Sequence, residues 1–338
     1  MTATGKPSTP PSLALCEFWD SHHHISEDPG FWMADALCRR AINMRVSGDE
    51  AVWPLDFLHA SSGGRRFDRL LSLGCGTGRV ERAVRRLDIA RMVDAVDGST
   101  VSVELAREKA REEGIGGIEY RVADLNRLDL PPRRYDAVVF HQSLHHVNSV
   151  ERLLQQVRRT LVVSGLLFLE EWTGPSRFEW DPAKLDRARA AFARLPLEWR
   201  QWPELRPPIE EHDPTEAVRS SAILPSLRRL FDPIVERPYG GQILSILLPQ
   251  LRREVIPEHE WSRLVSEWLA LEDAELRDRP AASYYTAILA RPRRGLAAIL
   301  GESATLLVRA GLAARYRLPE MIGPNRVRGA ARSDGIGG

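Results

Sequence analysis

Lysine is almost absent from this chain of 338 residues. Lys6, Lys109 and Lys184 are all it has, and arginine supplies the remainder of the 47 basic residues. Against 46 acidic residues the formal net charge is +1, so no whole-chain field draws the protein to nucleic acid or to an anionic membrane. Cysteine is scarce too. Cys16, Cys38 and Cys75 form an odd set without paired spacing, which argues against a disulfide framework and for a reducing compartment. Long hydrophobic runs are missing: stretches such as Ile243 to Pro249 are far too short to span a bilayer. The opening MTATGKPSTPPS lacks the apolar core of a signal peptide. Together these absences predict a cytoplasmic protein with no membrane span.

What is present is a globular composition, 43% hydrophobic and 28% charged, with length for one large α/β domain and additions. Residues 1–12, rich in Pro, Ser and Thr, read as disordered. Residues 13–64 read as an N-terminal helical segment carrying Trp19, Phe31, Trp32, Met33, Leu37, Ile42 and Trp53. From residue 65 to 292 apolar runs begin at Leu70, Met92, Ile118, Ala137 and Leu166, with amphipathic arginine-rich stretches between most of them. That alternation predicts βαβ units and a parallel sheet. It breaks after Trp172, where residues 174–224 read as a helical insertion over the strand ends. Strand candidates resume at Pro233–Arg237 and Tyr284–Ala290, which would close the sheet with an antiparallel pair. Residues 293–338 form a basic tail.

The chemistry concentrates in one segment. Leu70 to Leu73 is an apolar strand that runs into Gly74-Cys75-Gly76-Thr77-Gly78-Arg79. Glycines at a first βα turn let a ligand approach the backbone and meet its amides. A dinucleotide fingerprint requires a third glycine where Arg79 stands, so the spacing is G-x-G-x-G. Asp97 closes the second strand, where an acid bonds ribose hydroxyls; the alternative is that it caps the next helix. Asp94 reads as a surface residue. After the third strand, Asp124 is placed to accept from an adenine amino group, with Leu125 over the ring. The fourth strand, Tyr135 to His141, opens into Gln142-Ser143-Leu144-His145-His146.

LSLGCGTGRVE, VDGS, VADLNRLDLPPRRYDAVVFHQSLHHV and LLQQVRRTLVVSGLLFLEEW resemble successive motifs of class I S-adenosylmethionine-dependent methyltransferases, over roughly residues 66–172. INMRVSGD, EEWTGPSRFEWD and the stretch from Asp213 to Gly241 further resemble a bacterial subgroup associated with glycan or natural-product biosynthesis. The resemblance implies a Rossmann-like seven-stranded sheet with its last strand antiparallel. It implies S-adenosyl-L-methionine as cofactor, on Gly74, Gly76, Gly78, Asp97, Asp124 and Leu125, with His141 along the methionine side. One departure stands out. Many members carry an acid two positions before the first glycine, and here that position is Ser72, which weakens the expected contact to the methionine amino group.

Methyl transfer to a hydroxyl benefits from a base near neutral pKa, so His145, His146 and His141 are the catalytic candidates. Because neighbours on a turn diverge, at most one of His145 and His146 is expected to act. Glu170 and Glu171 read as a solvated strand end, with a substrate or metal role as the alternative. Arg45 is a candidate clamp for the cofactor carboxylate. Tyr239, Arg219 and Trp172 are candidates for the acceptor site or its rim. No metal site is expected: His22-His23-His24 with Cys16 lacks a second spaced ligand pair. The expected acceptor is a small molecule or glycan, not nucleic acid, since no basic stripe with interleaved aromatics is visible. Two other readings stay open: a non-catalytic S-adenosylmethionine-binding module and a nicotinamide-dependent oxidoreductase, the latter opposed by Arg79 and by the lack of a Tyr-x-x-x-Lys pair.

Overall fold

The computed structural model describes residues 31–206 and 215–293, save the side chain of Phe178. The expectations for residues 1–12, for His22-His23-His24 with Cys16, and for the tail from residue 294 onward lie outside them.

Seven strands form one sheet: β1 (Phe67–Leu73), β2 (Ala90–Asp97), β3 (Ile118–Val122), β4 (Tyr135–His141), β5 (Leu161–Trp172), β6 (Phe231–Gly240) and β7 (Tyr285–Pro292). Their order is β3-β2-β1-β4-β5-β7-β6. The first five strands pair in parallel, and β7 runs antiparallel to both β5 and β6. Sequence and structure thus agree on a seven-stranded sheet with its last strand antiparallel. The last strand in sequence is not the edge, however. β7 is almost wholly buried and slots between β5 and β6. The edge falls to β6, whose Pro233 and Pro238 lack ladder donors and are tolerated there.

Nine helices among the described residues flank the sheet. They are α1 (Ala36–Ser47), α2 (Pro54–Ser61), α3 (Arg79–Arg86), α4 (Thr100–Glu112), α5 (Val150–Thr160), α6 (Pro182–Phe192), α7 (Ile223–Leu230), the single turn α8 (Leu244–Leu247) and α9 (Glu258–Asp278). Strand residues alternate between two apolar layers, as a period of two requires. Leu71, Leu73, Val138 and Phe140 join Leu153, Leu154 and Val157 of α5 and Ile223 and Leu227 of α7. Leu70, Val93 and Val139 join Ile42 of α1, Leu58 of α2, Val84 of α3 and Val103 of α4. No helix among the described residues is long and apolar enough to cross a membrane.

The switch point lies between β1 and β4, where successive connections leave on opposite sides; in open α/β sheets ligands bind there, beyond the strand ends. After β5 the chain leaves the sheet for α6 and short 3-10 turns at Ser176–Phe178, Leu197–Trp199 and Ser220–Ala222. Trp172 anchors that excursion, with ring contacts to Trp180 at 6.0 Å and Tyr284 at 5.1 Å. Its return passes over β4: the Val218 amide donates to the His145 carbonyl at 3.2 Å. Asp94 corrects the sequence reading. It is 8% exposed on β2, where it accepts from Arg69 at 2.9 and 2.6 Å and from the Tyr135 hydroxyl at 2.7 Å. A strand position beside a buried tyrosine and an arginine is no longer a surface one.

Candidate active site

The turn from β1 into α3 carries Gly74, Gly76 and Gly78 at φ of +76°, +50° and +77°, the left-handed region that glycine enters without a Cβ penalty. Each has its own reason to lack a side chain. A Cβ on Gly74 would stand 2.3 Å from the Cβ of Ser143, so this glycine lets the first turn meet the turn after β4. A Cβ on Gly78 would stand 2.4 Å from the Tyr120 hydroxyl oxygen. Gly76 faces open space, the floor of a cavity of about 360 Å³ at the ends of β1, β2 and β4.

Asp97 is fixed to that floor. Its Oδ2 accepts from the Gly76 amide at 2.7 Å and its Oδ1 from the Ser99 amide at 2.9 Å. The cap of α4 is Ser99, whose Oγ accepts from the Ser102 amide at 3.0 Å, so Asp97 is not the cap. Leu125 and Asn126 line the cavity next to it. Asp124 is not in the cavity wall: its Oδ1 accepts from the Asn126 amide at 2.9 Å, and its buried Oδ2 has no hydrogen-bond partner and lies 3.8 Å from Arg127 Nε. A glycine floor and a fixed carboxylate fit a ribose, with Leu125 and Asn126 beside it.

All three histidines reach the same cavity. His141, at the end of β4, sets Nδ1 3.2 Å from Glu170 Oε2. Burial alone would lower its pKa, but the Glu170 carboxylate outweighs that and raises it. The pair beyond it contradicts the expected divergence. His145 and His146 lie in a 3-10 turn, Leu144–His146, with ring centroids 4.1 Å apart, and both line the cavity. His145 Nδ1 is hydrogen-bonded to Glu171 Oε1. Glu171 is 0% exposed and accepts three backbone amides: Ser143 and Leu144 at 2.9 and 2.7 Å, and Trp172 at 2.9 Å. Those amides occupy the carboxylate as an acceptor, which makes His145 Nδ1 the donor to it and leaves Nε2 facing Glu216. Burial first, and the neighbouring His145 second, hold His146 well below the usual imidazole range.

Glu170 and Glu171 are therefore not a solvated strand end: they are 5% and 0% exposed and serve the two histidines. Arg45 needs a larger correction. It is absent from the cavity wall and bonds Glu272 at 2.9 Å, Asp273 at 2.8 Å and the carbonyls of Tyr239 and Leu269 at 2.9 and 3.1 Å. It ties α1 to α9 and β6, a packing role. Trp172 lines the cavity. Tyr239 is buried behind it, its hydroxyl accepting from Gln142 at 3.0 Å. Arg219 pairs with Glu151 at 2.7 Å away from the wall.

The sequence reading missed four wall residues. Arg39 and Arg79 place guanidiniums over the Trp53 ring at 5.2 and 4.7 Å and both line the cavity, where an anionic group can be met. Glu216, brought in by the returning insertion, sets Oε1 3.5 Å from His145 Nε2 and Oε2 3.6 Å from His146 Nδ1. Donor atoms of His145, His146 and Glu216 lie within 4.8 Å of one another, a set able to hold a metal ion. Glu81 of α3 is 1% exposed at the cavity wall. None of these has a local signal, because each is brought in by a helix or a distant segment.

Residues 71–169 match a family described as a methyltransferase domain. (S)-coclaurine N-methyltransferase of Thalictrum flavum subsp. glaucum is 29% identical over 101 residues, 30% of this chain and 28% of that protein. The ubiquinone/menaquinone biosynthesis C-methyltransferase UbiE of Enterobacter sp. (strain 638) is 32% identical over 117 residues, 34% of this chain and 46% of that protein. The matched region thus spans less than half the length of either relative. Among solved structures, the [4+2]-cyclase SpnF aligns with a TM-score of 0.48 and 20% identity, over 86% of this chain and 99% of that one. Geranyl diphosphate C-methyltransferase from Streptomyces coelicolor A3(2) aligns with a TM-score of 0.47 and 16% identity, over 86% and 100%.

Proposed function

We propose that this chain binds S-adenosylmethionine at the glycine turn and methylates a small-molecule or glycan-like acceptor, at a hydroxyl whose proton His145 takes. The match of residues 71–169 to a methyltransferase domain supports the reaction class. The observation that carries the mechanism is the His145–Glu171 pair, set in the wall of the cavity that Gly76 and Asp97 floor. The relatives named above are N- and C-methyltransferases, so a hydroxyl acceptor rests on the base alone.

When bound, the cofactor supplies an electrophilic methyl on a good leaving group, and the protein supplies alignment. Asp97, fixed by the Gly76 amide, would hold the ribose side. Asp124 Oδ2 receives the adenine amino group and Leu125 covers the ring. Arg39 and Arg79 face the carboxylate, the part first assigned to Arg45. His145 Nε2 accepts the acceptor's proton, and Glu171, bonded to Nδ1, stabilises the imidazolium that results. Trp172 and Tyr285 close the wall against water. Glu216 joins the cavity wall from the segment after Trp172, and a pocket of about 360 Å³ favours a small acceptor over an open macromolecular groove. A cytoplasmic location goes with the unpaired cysteines.

The test is calorimetric titration with S-adenosylhomocysteine, NAD and NADP, with Asp97→Ala as control, then an acceptor screen that starts with sugars. Binding of S-adenosylhomocysteine alone, weakened in the variant, supports the cofactor. Clear nicotinamide binding would return the protein to the oxidoreductases. Binding without turnover of any acceptor would leave the non-catalytic module.

A further inference from the structure

The serine two residues before the first glycine has a partner. Ser72 Oγ donates to Oε1 of Glu81, which sits in the first turn of α3, three positions after Gly78. The glycine turn folds that helix back so that Glu81 arrives beside the end of β1. Ser72 and Glu81 both line the cavity, with Gly74 and His141. Glu81 is 1% exposed, and its Oε2 is buried without a hydrogen-bond partner. Among the described residues no lysine or arginine forms an ion pair with it.

A buried carboxylate oxygen left unbonded is costly, so its retention at a cavity wall calls for a donor that arrives from outside. That oxygen belongs to a side chain in the wall of the cavity that Gly76 and Asp97 floor. The chemistry that satisfies it is a cationic N–H donor.

We propose that Glu81 receives the α-ammonium group of S-adenosylmethionine, supplying from helix α3 the carboxylate that Ser72 lacks, with Ser72 as the positioning residue that fixes it. This rests on the cofactor reading above. It is specific to the amino-acid end of the cofactor, which makes it separable from that reading.

The experiment is calorimetric titration of wild type and Glu81→Gln with two ligands: S-adenosylhomocysteine, and methylthioadenosine, which shares the nucleoside and thioether but lacks the amino acid. A charge-assisted hydrogen bond predicts that Glu81→Gln loses roughly tenfold or more in affinity for S-adenosylhomocysteine. Methylthioadenosine should bind both proteins within about twofold. The exchanged pair Ser72→Glu with Glu81→Ser should recover part of the lost affinity. An unchanged S-adenosylhomocysteine affinity in Glu81→Gln, or equal losses for both ligands, would overturn the assignment. If Glu81→Gln does not fold, Ser72→Ala takes its place: it must weaken S-adenosylhomocysteine more than methylthioadenosine, and equal effects sink the proposal. Wild type that binds neither ligand would refute the cofactor reading itself.

Discussion

His145 and Glu171 are joined through Nδ1 and Oε1, and the carboxylate is already held by the amides of Ser143, Leu144 and Trp172. The imidazole is therefore oriented by a group that the backbone itself fixes. Glu171→Gln removes the acceptor that sets the tautomer. Turnover of an acceptor found by screening should fall about 10²–10⁴-fold, with S-adenosylhomocysteine affinity unchanged. Full activity in this variant would remove His145 from the mechanism.

The glycines separate fold from binding. Gly74→Ala forces a Cβ to within 2.3 Å of Ser143 at φ +76°, and should cost about 2–4 kcal/mol in stability. Gly76→Ala meets nothing within 4 Å, so it should cost only about 1 kcal/mol while filling the cavity floor. Thermal melts and ligand titrations on both variants check this. Strong ligand binding by Gly76→Ala would move the cofactor off the turn.

Arg45→Leu should destabilise without touching the cofactor. Its head is 9% exposed and Glu272 is 0% exposed, so the variant leaves that buried carboxylate only the amides of Gly241, Ile243 and Leu244, at roughly 1–3 kcal/mol. Urea unfolding measures the loss. An S-adenosylhomocysteine affinity that fell with it would restore the clamp role.

Glu81 gives the protein a pH signature. Burial above all, partly offset by the Ser72 hydrogen bond, pushes its pKa up to about 7. Asp97, Cys75, Tyr120 and His141 surround it electrostatically. Between the ordinary carboxyl range and about 7 the folded chain keeps a proton that the unfolded chain has lost. This group's contribution to unliganded stability therefore falls as pH rises through that window and levels off above it. A cationic ligand needs the ionised form, so its affinity should rise over the same window. Titrations from pH 5.5 to 8, an interval of roughly one to two units around the Glu81 value, should show a slope that Glu81→Gln flattens. Equal slopes would assign the pH dependence to a neighbour.

Chelation tests the remaining role for His145, His146 and Glu216. With His145 acting as a base, methyl transfer should survive EDTA unchanged. Loss of activity on chelation, regained with a divalent cation, would make the cluster a metal site instead.

Periodicity sets out the fold well, because buried parallel strands read as apolar runs and glycine at a first turn has few other uses. β1 to β5 and the antiparallel closure follow from local pattern. The pairing of Gly76 with Asp97 at the cavity floor is legible for the same reason: one turn and one strand end lie within a single βαβ unit. The histidines were legible as candidates, but their convergence was not, since a 3-10 turn brings together rings that a wider turn would separate.

The sequence by itself determined the class of sheet, the glycine turn and the strand ends that share its cavity, because these depend on residues near one another in the chain. Only the tertiary structure decided what each charge does there. Arg45 was drawn away by Glu272 and Asp273, Glu171 was buried against three amides, and Glu216 arrived on a returning loop. Glu81 was turned inward beside Ser72. A buried charge takes its role from the partners that replace water, and those partners are set by packing between segments far apart in sequence.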